Sequence, residues 1–166
     1  MQIRRLVATD AAAFRELRLR ALKDHPEAFT SSWEEDRHLP LDQSTRRLES
    51  ATSAFWGAFD TKLGLVGMAG LERGGRAKER HKGTIVAMYV APEASSRGLG
   101  AMLIDTAIAH ARSEGLQDLV LTVTRGNEVA LRLYERCGFR AFGSEPRAVL
   151  VDGRAFTKIH MHRSLC

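Results

Sequence analysis

The stretch GTIVAMYVAPEASSRGLGAMLIDTA (residues 83–107) joins an apolar run to a helical pattern through a junction built almost entirely of small residues. The run GTIVAMYV reads as a strand covered on both faces. The apolar periodicity after Gly98 reads as a helix reaching to about Gly115. An ordinary strand-to-helix turn needs one glycine, yet this one carries Gly98 and Gly100, flanked by Ala94, Ser95, Ser96 and Ala101. The first amides of a helix have no partner within it, and the helix dipole makes that end attractive to anions. Small residues keep such a backbone open to a phosphate, with Arg97 adding charge at the mouth. Close packing of helix on strand is the other reading of the same glycines.

Working outward, the pattern alternates. MQIRRL is a short strand, and TDAAAFRELRLRALKD places Phe14, Leu17 and Ala21 at helical spacing after a Thr-Asp start. Residues 26–50 are loosely specified, broken by Pro26 and Pro40, with LDQSTRRLES as a second short helix. SAFWGAFD and LGLVGMAGLER form an antiparallel hairpin about the turn DTK. Beyond the central stretch, DLVLTVT is a buried strand, NEVALRLYERC a helix closed by Gly138, and FRAFGSE a strand. The last segment carries Asp152-Gly153, a dipeptide suited to a tight hairpin turn. The sum is an α/β chain: a mixed sheet with helices on its faces, in one domain spanning residues 1–166.

Composition limits the function classes. With 166 residues and 44% hydrophobic content, the chain suffices for one core. No apolar run approaches the roughly 18 residues of a membrane span, and MQIRRLVATDAAAF lacks a signal-peptide core, so a cytoplasmic protein is expected. Cys137 and Cys166 form neither a disulfide framework nor a metal-ligand spacing, and no metal is expected. The net charge of +5 suits an anionic ligand, and RGGRAKERHK (residues 73–82) is its densest basic run. No aromatic residue interrupts that run to stack on bases, so it reads as a solvated hairpin loop and not as a nucleic-acid surface. The triphosphate-binding G-x-x-x-x-G-K-[ST] string is absent, and the three-glycine dinucleotide fingerprint is not met.

A second constellation follows from helical spacing. Seven residues make about two turns, so Asn127, Ala130 and Tyr134 share a face, and the two polar side chains can reach one elongated ligand. Read by themselves, Asn127 is a helix N-cap and Tyr134 part of an apolar stripe with Ala130, Leu133 and Cys137.

AMYVAPEASSRGLGAMLIDTAIAHA (residues 87–111) followed by TVTRGNEVALRLYERCGFRAFG (residues 122–143) resembles the two central motifs of the GNAT superfamily, the GCN5-related N-acetyltransferases. The likeness extends over about residues 54–145, and EPRAVLVDGRAF is similar to the end of many bacterial members. On the loop pattern Q/R-x-x-G-x-G/A, Gly98 and Gly100 match, while Ser95 replaces the usual Gln or Arg. The resemblance implies a twisted, mostly antiparallel mixed sheet of about seven strands with about four helices. Its fourth and fifth strands splay into a V that holds acetyl-CoA.

It further implies that the pantetheine arm pairs with Met88, Tyr89 and Val90, with a backbone N–H near Tyr89 or Val90 polarising the thioester carbonyl. The pyrophosphate would lie over the segment Ser95, Ser96, Arg97, Gly98, Leu99, Gly100 and Ala101. Asn127 would contact the cofactor arm, and Tyr134 would protonate the leaving thiolate as general acid. The activity implied is N-acetyl transfer from acetyl-CoA by direct attack of a primary amine in a ternary complex, with a non-catalytic acyl-CoA sensor as the alternative. The acceptor is an amine-bearing small molecule or a protein amine, and a homodimer belongs to the same expectation. The strand glutamate that many members carry near Thr84 or Val86 is absent. Glu35, Glu72, His81 and a water chain remain as candidates for the base. Phe29, Trp33 and Phe156 are candidate walls of the acceptor pocket, built from about residues 24–40 and 144–156.

Overall fold

The computed structural model describes residues 1–166. Seven strands form one sheet: β1 (Gln2–Arg5), β2 (Ser53–Asp60), β3 (Gly64–Arg73), β4 (Lys82–Val90), β5 (Asp118–Thr124), β6 (Arg140–Val151) and β7 (Arg154–Ser164). Their spatial order is β1-β2-β3-β4-β5-β7-β6, and every neighbouring pair is antiparallel except β4 with β5. The helices are α1 (Ala11–Asp24), α2 (Trp33–Asp36), α3 (Leu41–Glu49), α4 (Leu99–Ser113) and α5 (Glu128–Arg136). The mixed sheet, the four longer helices and their order agree with the sequence reading. The single turn α2, started by Ser32 accepting from the Glu35 amide, was not legible in the polar stretch that contains it.

The two faces of the sheet are filled by different helices, because adjacent residues of a strand point to opposite sides. On β2, Phe55 meets Phe14 of α1 edge to face with ring centroids 5.3 Å apart, while its neighbour Trp56 meets His110 of α4. The buried stripe Ala11, Phe14, Leu17 and Ala21 seats α1 on the first face. Leu103, Ile104, Ala107, Ile108 and Ala111 seat α4 on the second. Glycines on the sheet make room for these rings: a Cβ on Gly70 would collide with Phe55.

β4 departs from the expectation of a strand covered on both faces. Gly83, Ile85, Ala87 and Tyr89 are buried, whereas Thr84, Val86, Met88 and Val90 are only partly so. The reason is its partner. β4 pairs with β5 only over Lys82–Thr84 against Asp118–Val120, after which the two strands separate. On its other side β4 is bulged: Met68 pairs with Tyr89 and Gly70 with Val86, so Ala87 and Met88 together face Ala69. Ala87 holds φ 54°, a left-handed conformation that is uncommon outside glycine. Pairing with β5 stops at Thr84, before the bulge, and the splay beyond it is the one the resemblance implied.

Phe14 is completely buried and carries the docking of α1. Phe14→Ala is expected to lower the unfolding free energy by about 3–5 kcal/mol through lost transfer energy and the cavity left behind, as read by urea denaturation.

Candidate active site

The gap between β4 and β5 is occupied by two cavities that share Ala28, Phe29, Met88, Thr122 and Tyr134. The larger, about 660 Å³, runs from this junction past Val90 to the loop before α4 and along the N-terminal half of α5. The smaller, about 320 Å³, runs toward α1 and α3 and is lined by Thr84, Val86 and Leu121 from the separated strands.

The loop at the far end of the larger cavity is shaped by backbone conformation. Ser96 at φ 63° and Gly98 at φ 73° are both left-handed, which turns successive amides the same way. None of the amides from Ser96 to Ala101 donates to a backbone carbonyl, and the first helical bond after them is Met102 N–H to Gly98 C=O. Gly100 has a second role, since a Cβ there would stand 2.9 Å from Leu133 of α5 and 3.2 Å from Met88. Its bareness lets α4, α5 and β4 converge around the cavity. The junction thus combines close packing at Gly100 with amides from Ser96 to Ala101 that have no backbone partner.

Two ion pairs brace this loop from either side. Arg20 of α1 grips Glu93 through two bonds of 2.5 and 2.7 Å, and the guanidinium holds the Glu93 carboxyl at about 2. Arg97 donates to Asp60 in the β2–β3 turn at 3.0 Å. Asp60 also accepts from the Lys62 and Leu63 amides, and these bonds together lower its carboxyl below the usual range. Arg97 is thus turned outward to a carboxylate and does not line the cavity. Ser95 turns its hydroxyl back on the Pro92 carbonyl at 2.8 Å, although the residue still borders the cavity. Met88, Val90, Ser96, Leu99, Gly100 and Ala101 line it together with Ser95 and Gly98.

Tyr89 lines the same cavity, but its ring is buried beside His25, and its hydroxyl is the one buried side-chain polar atom without a hydrogen-bond partner. Burial pushes this phenol above its ordinary value. On α5, Asn127 and Tyr134 both border the cavity as their spacing requires. Asn127 accepts from the Ala130 amide at 3.2 Å, so it caps α5 while bordering the cavity. Tyr134, packed against Phe139, lies where the two cavities meet, and burial raises its phenol far above the ordinary value.

The other sequence candidates are distributed differently. Phe29 lines both cavities. Trp33 lies outside them, its ring under the cations of Lys23 and Arg37, and Phe156 sits on the β6–β7 hairpin beneath Arg154. Glu35 accepts from the Ser32 hydroxyl, Glu72 is bonded to Arg47 at 3.1 Å, and His81 is exposed at the closed end of the splay. None of the three enters either cavity. The basic run is the exposed β3–β4 loop, with Arg73 paired to Glu114 and Lys82 to Glu79. No helix is long and apolar enough to cross a membrane. No cluster of metal-ligating side chains is present.

Three residues of the site escaped the sequence reading. His25 ends α1 beside the larger cavity. Thr124 donates to the Glu27 carbonyl at 2.8 Å and accepts from Lys158 at 2.8 Å. Lys158 is buried and also reaches the Glu27 carbonyl, and burial lowers its ammonium below the ordinary value. This clasp fixes the turn Pro26–Ala28, and with it Phe29, against β5. Its members lie 131 residues apart, and a lone lysine amid the last strand carries no sequence signal of burial.

A family model described as the acetyltransferase (GNAT) family matches residues 15–139. Mycothiol acetyltransferase of Thermobispora bispora is 35% identical over 135 residues, covering 78% of this chain and 43% of that protein. L-methionine sulfoximine/L-methionine sulfone acetyltransferase of Pseudomonas aeruginosa is 32% identical over 80 residues, 48% of this chain and 46% of that protein. The chain spans less than half the length of these curated relatives. Among solved structures, yncA of Salmonella typhimurium, determined with its cofactor acetyl-CoA, superposes with TM-score 0.87 at 23% identity, covering 100% of this chain and 94% of that one. A GNAT-family acetyltransferase of Streptococcus pneumoniae superposes with TM-score 0.84 at 24% identity, covering 98% of both chains.

Thr124→Val leaves the Lys158 ammonium with the Glu27 carbonyl alone and is expected to cost about 1–3 kcal/mol of stability, read as a lowered urea midpoint.

Proposed function

The chain belongs to the GNAT family of acetyltransferases, and from that premise we propose that it is an acetyl-CoA-dependent N-acetyltransferase acting on a primary amine by direct attack in a ternary complex. The observation that carries this reading is the row of unpartnered amides from Ser96 to Ala101 at one end of a cavity whose other end is Tyr134. The residues present fit the donor: an open anion cradle at a helix start, then a largely apolar-walled cavity beside β4.

Bound there, acetyl-CoA supplies an activated acyl group and a thiolate leaving group. The amides of Ser96 to Ala101 receive the diphosphate; Arg97 is engaged by Asp60, and the guanidinium that lines this cavity is that of Arg136. Met88 to Val90, bent by the bulge at Ala87, offer backbone donors to the thioester end. Asn127 holds the start of α5, and α5 in turn fixes Tyr134 at the junction of the cavities. Tyr134 gives its phenolic proton to the departing sulfur. Its burial serves this role, since a phenol raised above its ordinary value remains protonated throughout the working range. No carboxylate lines either of the two cavities, and His25 is their one imidazole. The proton of the acceptor ammonium is assigned to His25 or to water.

The test is thermal unfolding with and without acetyl-CoA, because a ligand that binds only the native state raises its stability by mass action. An upward shift with acetyl-CoA and none with ATP or NAD is expected; no shift at saturating acetyl-CoA would sink the reading. Tyr134→Phe should lower kcat by about 100-fold or more with little change in acetyl-CoA affinity. In the unaltered protein, kcat should rise with pH as the acceptor deprotonates and show no alkaline fall below about pH 10, since Tyr134 does not ionise there.

A further inference from the structure

The smaller central cavity does not end between the strands. It shares Arg18, Ser31 and Arg47 with a third cavity of about 470 Å³ between α1 and α3. That cavity is polar in a particular way. Its charged lining is Arg15, Arg18, Arg46 and Arg47 against the single carboxylate of Asp36, and Ser44, Ser50 and Gln43 add neutral donors.

The two arginines at the opening are held firmly yet sparingly bonded. Arg18 follows Phe14 by one turn of α1, which sets it directly above the buried face, and it gives only its Nε to Asp36, at 2.9 Å. Arg47 lies over the ring of Phe55, 4.9 Å from its centroid, and gives one Nη to Glu72 at 3.1 Å. A guanidinium has five N–H donors in a rigid fork, so most of the donors of both side chains remain uncommitted. Neither arginine has a fully buried nitrogen lacking a partner, so the uncommitted donors are accessible, and both residues line the cavity. Burial and the neighbouring positive charge of Arg47 push Arg18 below its ordinary value, against the opposing pull of Asp36 and Glu72. An anion placed between them relieves that repulsion and finds the planar donor geometry that carboxylates and phosphates fit.

We propose that the acyl acceptor is a small amine that also carries an oxyanion, a carboxylate or a phosphate-like group, received by Arg18 and Arg47 while its amine lies toward Tyr134. The proposal rests on the acetyl-transfer reading above. The acceptor gives up its ammonium proton, then its nitrogen forms a bond to the acyl carbon and the carbon–sulfur bond breaks; the sulfur takes the Tyr134 proton, the second nitrogen proton leaves through His25 or water to solvent, and Tyr134 is reprotonated from solvent. Polyamines, aminoglycosides and lysine side chains bring a second cation, or no anion, to a cavity already lined by four arginines. Electrostatics rejects them there.

The experiment measures thiol release from acetyl-CoA with matched acceptors: free α-amino acids against their carboxamides, O-phosphoethanolamine against ethanolamine, and spermidine. At least one acidic member is expected to exceed its neutral counterpart tenfold or more in kcat/KM, and the two acid series tell a carboxylate from a phosphate. Arg47→Gln should erase that preference by raising the acid's KM about tenfold toward that of its amide, with kcat changing far less. Arg47→Lys, which keeps the charge, should recover part of it, and that recovery separates anion binding from a structural role of Arg47 over Phe55. Turnover of carboxamides or spermidine in preference to acids overturns the proposal. So does an intact acetyl-CoA thermal shift with no turnover of any acidic member. Loss of the acetyl-CoA shift itself would instead overturn the donor reading beneath it.

Discussion

Everything at the centre of this protein depends on where β4 stops pairing with β5. Three residue pairs hold the strands parallel, and beyond Thr84 and Val120 they have no ladder between them. A sheet opened in its middle leaves backbone groups and apolar side chains facing a gap, an arrangement that costs stability unless its walls are supported otherwise. Here β4 is held on its other edge by β3, with the bulge at Ala87 absorbing the change of direction, and β5 is held along its full length by β7. The left-handed Ala87 is local strain stored where the chemistry is proposed, sustained by a surrounding sheet that leaves the strand no other course.

The elements around the gap are tied to one another by contacts of long sequence separation. Arg20 to Glu93 joins α1 to the loop before α4, Arg97 to Asp60 joins the same loop to the β2–β3 turn, and Lys158 with Thr124 holds the turn after α1 against β5. The first two are exposed and each contributes little to global stability. Their effect is positional: they hold the amides of Ser96 to Ala101 in an open array while spending the nearby side-chain charge elsewhere. Arg97 is thereby kept out of the larger cavity, while Arg18 and Arg47, each bonded to one carboxylate, line the third.

Much of the fold was legible because its signals are local. The buried face of α4, the cap at Asn127 and the Asp152-Gly153 turn, with both residues at positive φ, each follow from a few adjacent residues. The placement of Asn127 and Tyr134 on one wall followed from helical spacing, and the open amides around Gly98 from the glycine pattern. Side-chain destinations were less accessible. Arg97 has the position of a ligand residue in sequence but is bonded to an acceptor 37 residues away along the chain, and Trp33, an aromatic in the right segment, lies under two cations outside the cavities. Lys158 and His25 are ordinary surface types whose surroundings are made by other segments.

The sequence by itself determined the order of strands and helices, the glycine-rich helix start and the α5 face, since hydrophobic period and backbone freedom act over a few residues. Only the tertiary structure decided that three adjoining cavities share walls, that Tyr134 lines two of them, and that Arg18 and Arg47, each bonded to one carboxylate, line another pair. Those outcomes depend on which side chains distant segments bring within bonding distance, and no local pattern encodes a partner that lies far along the chain.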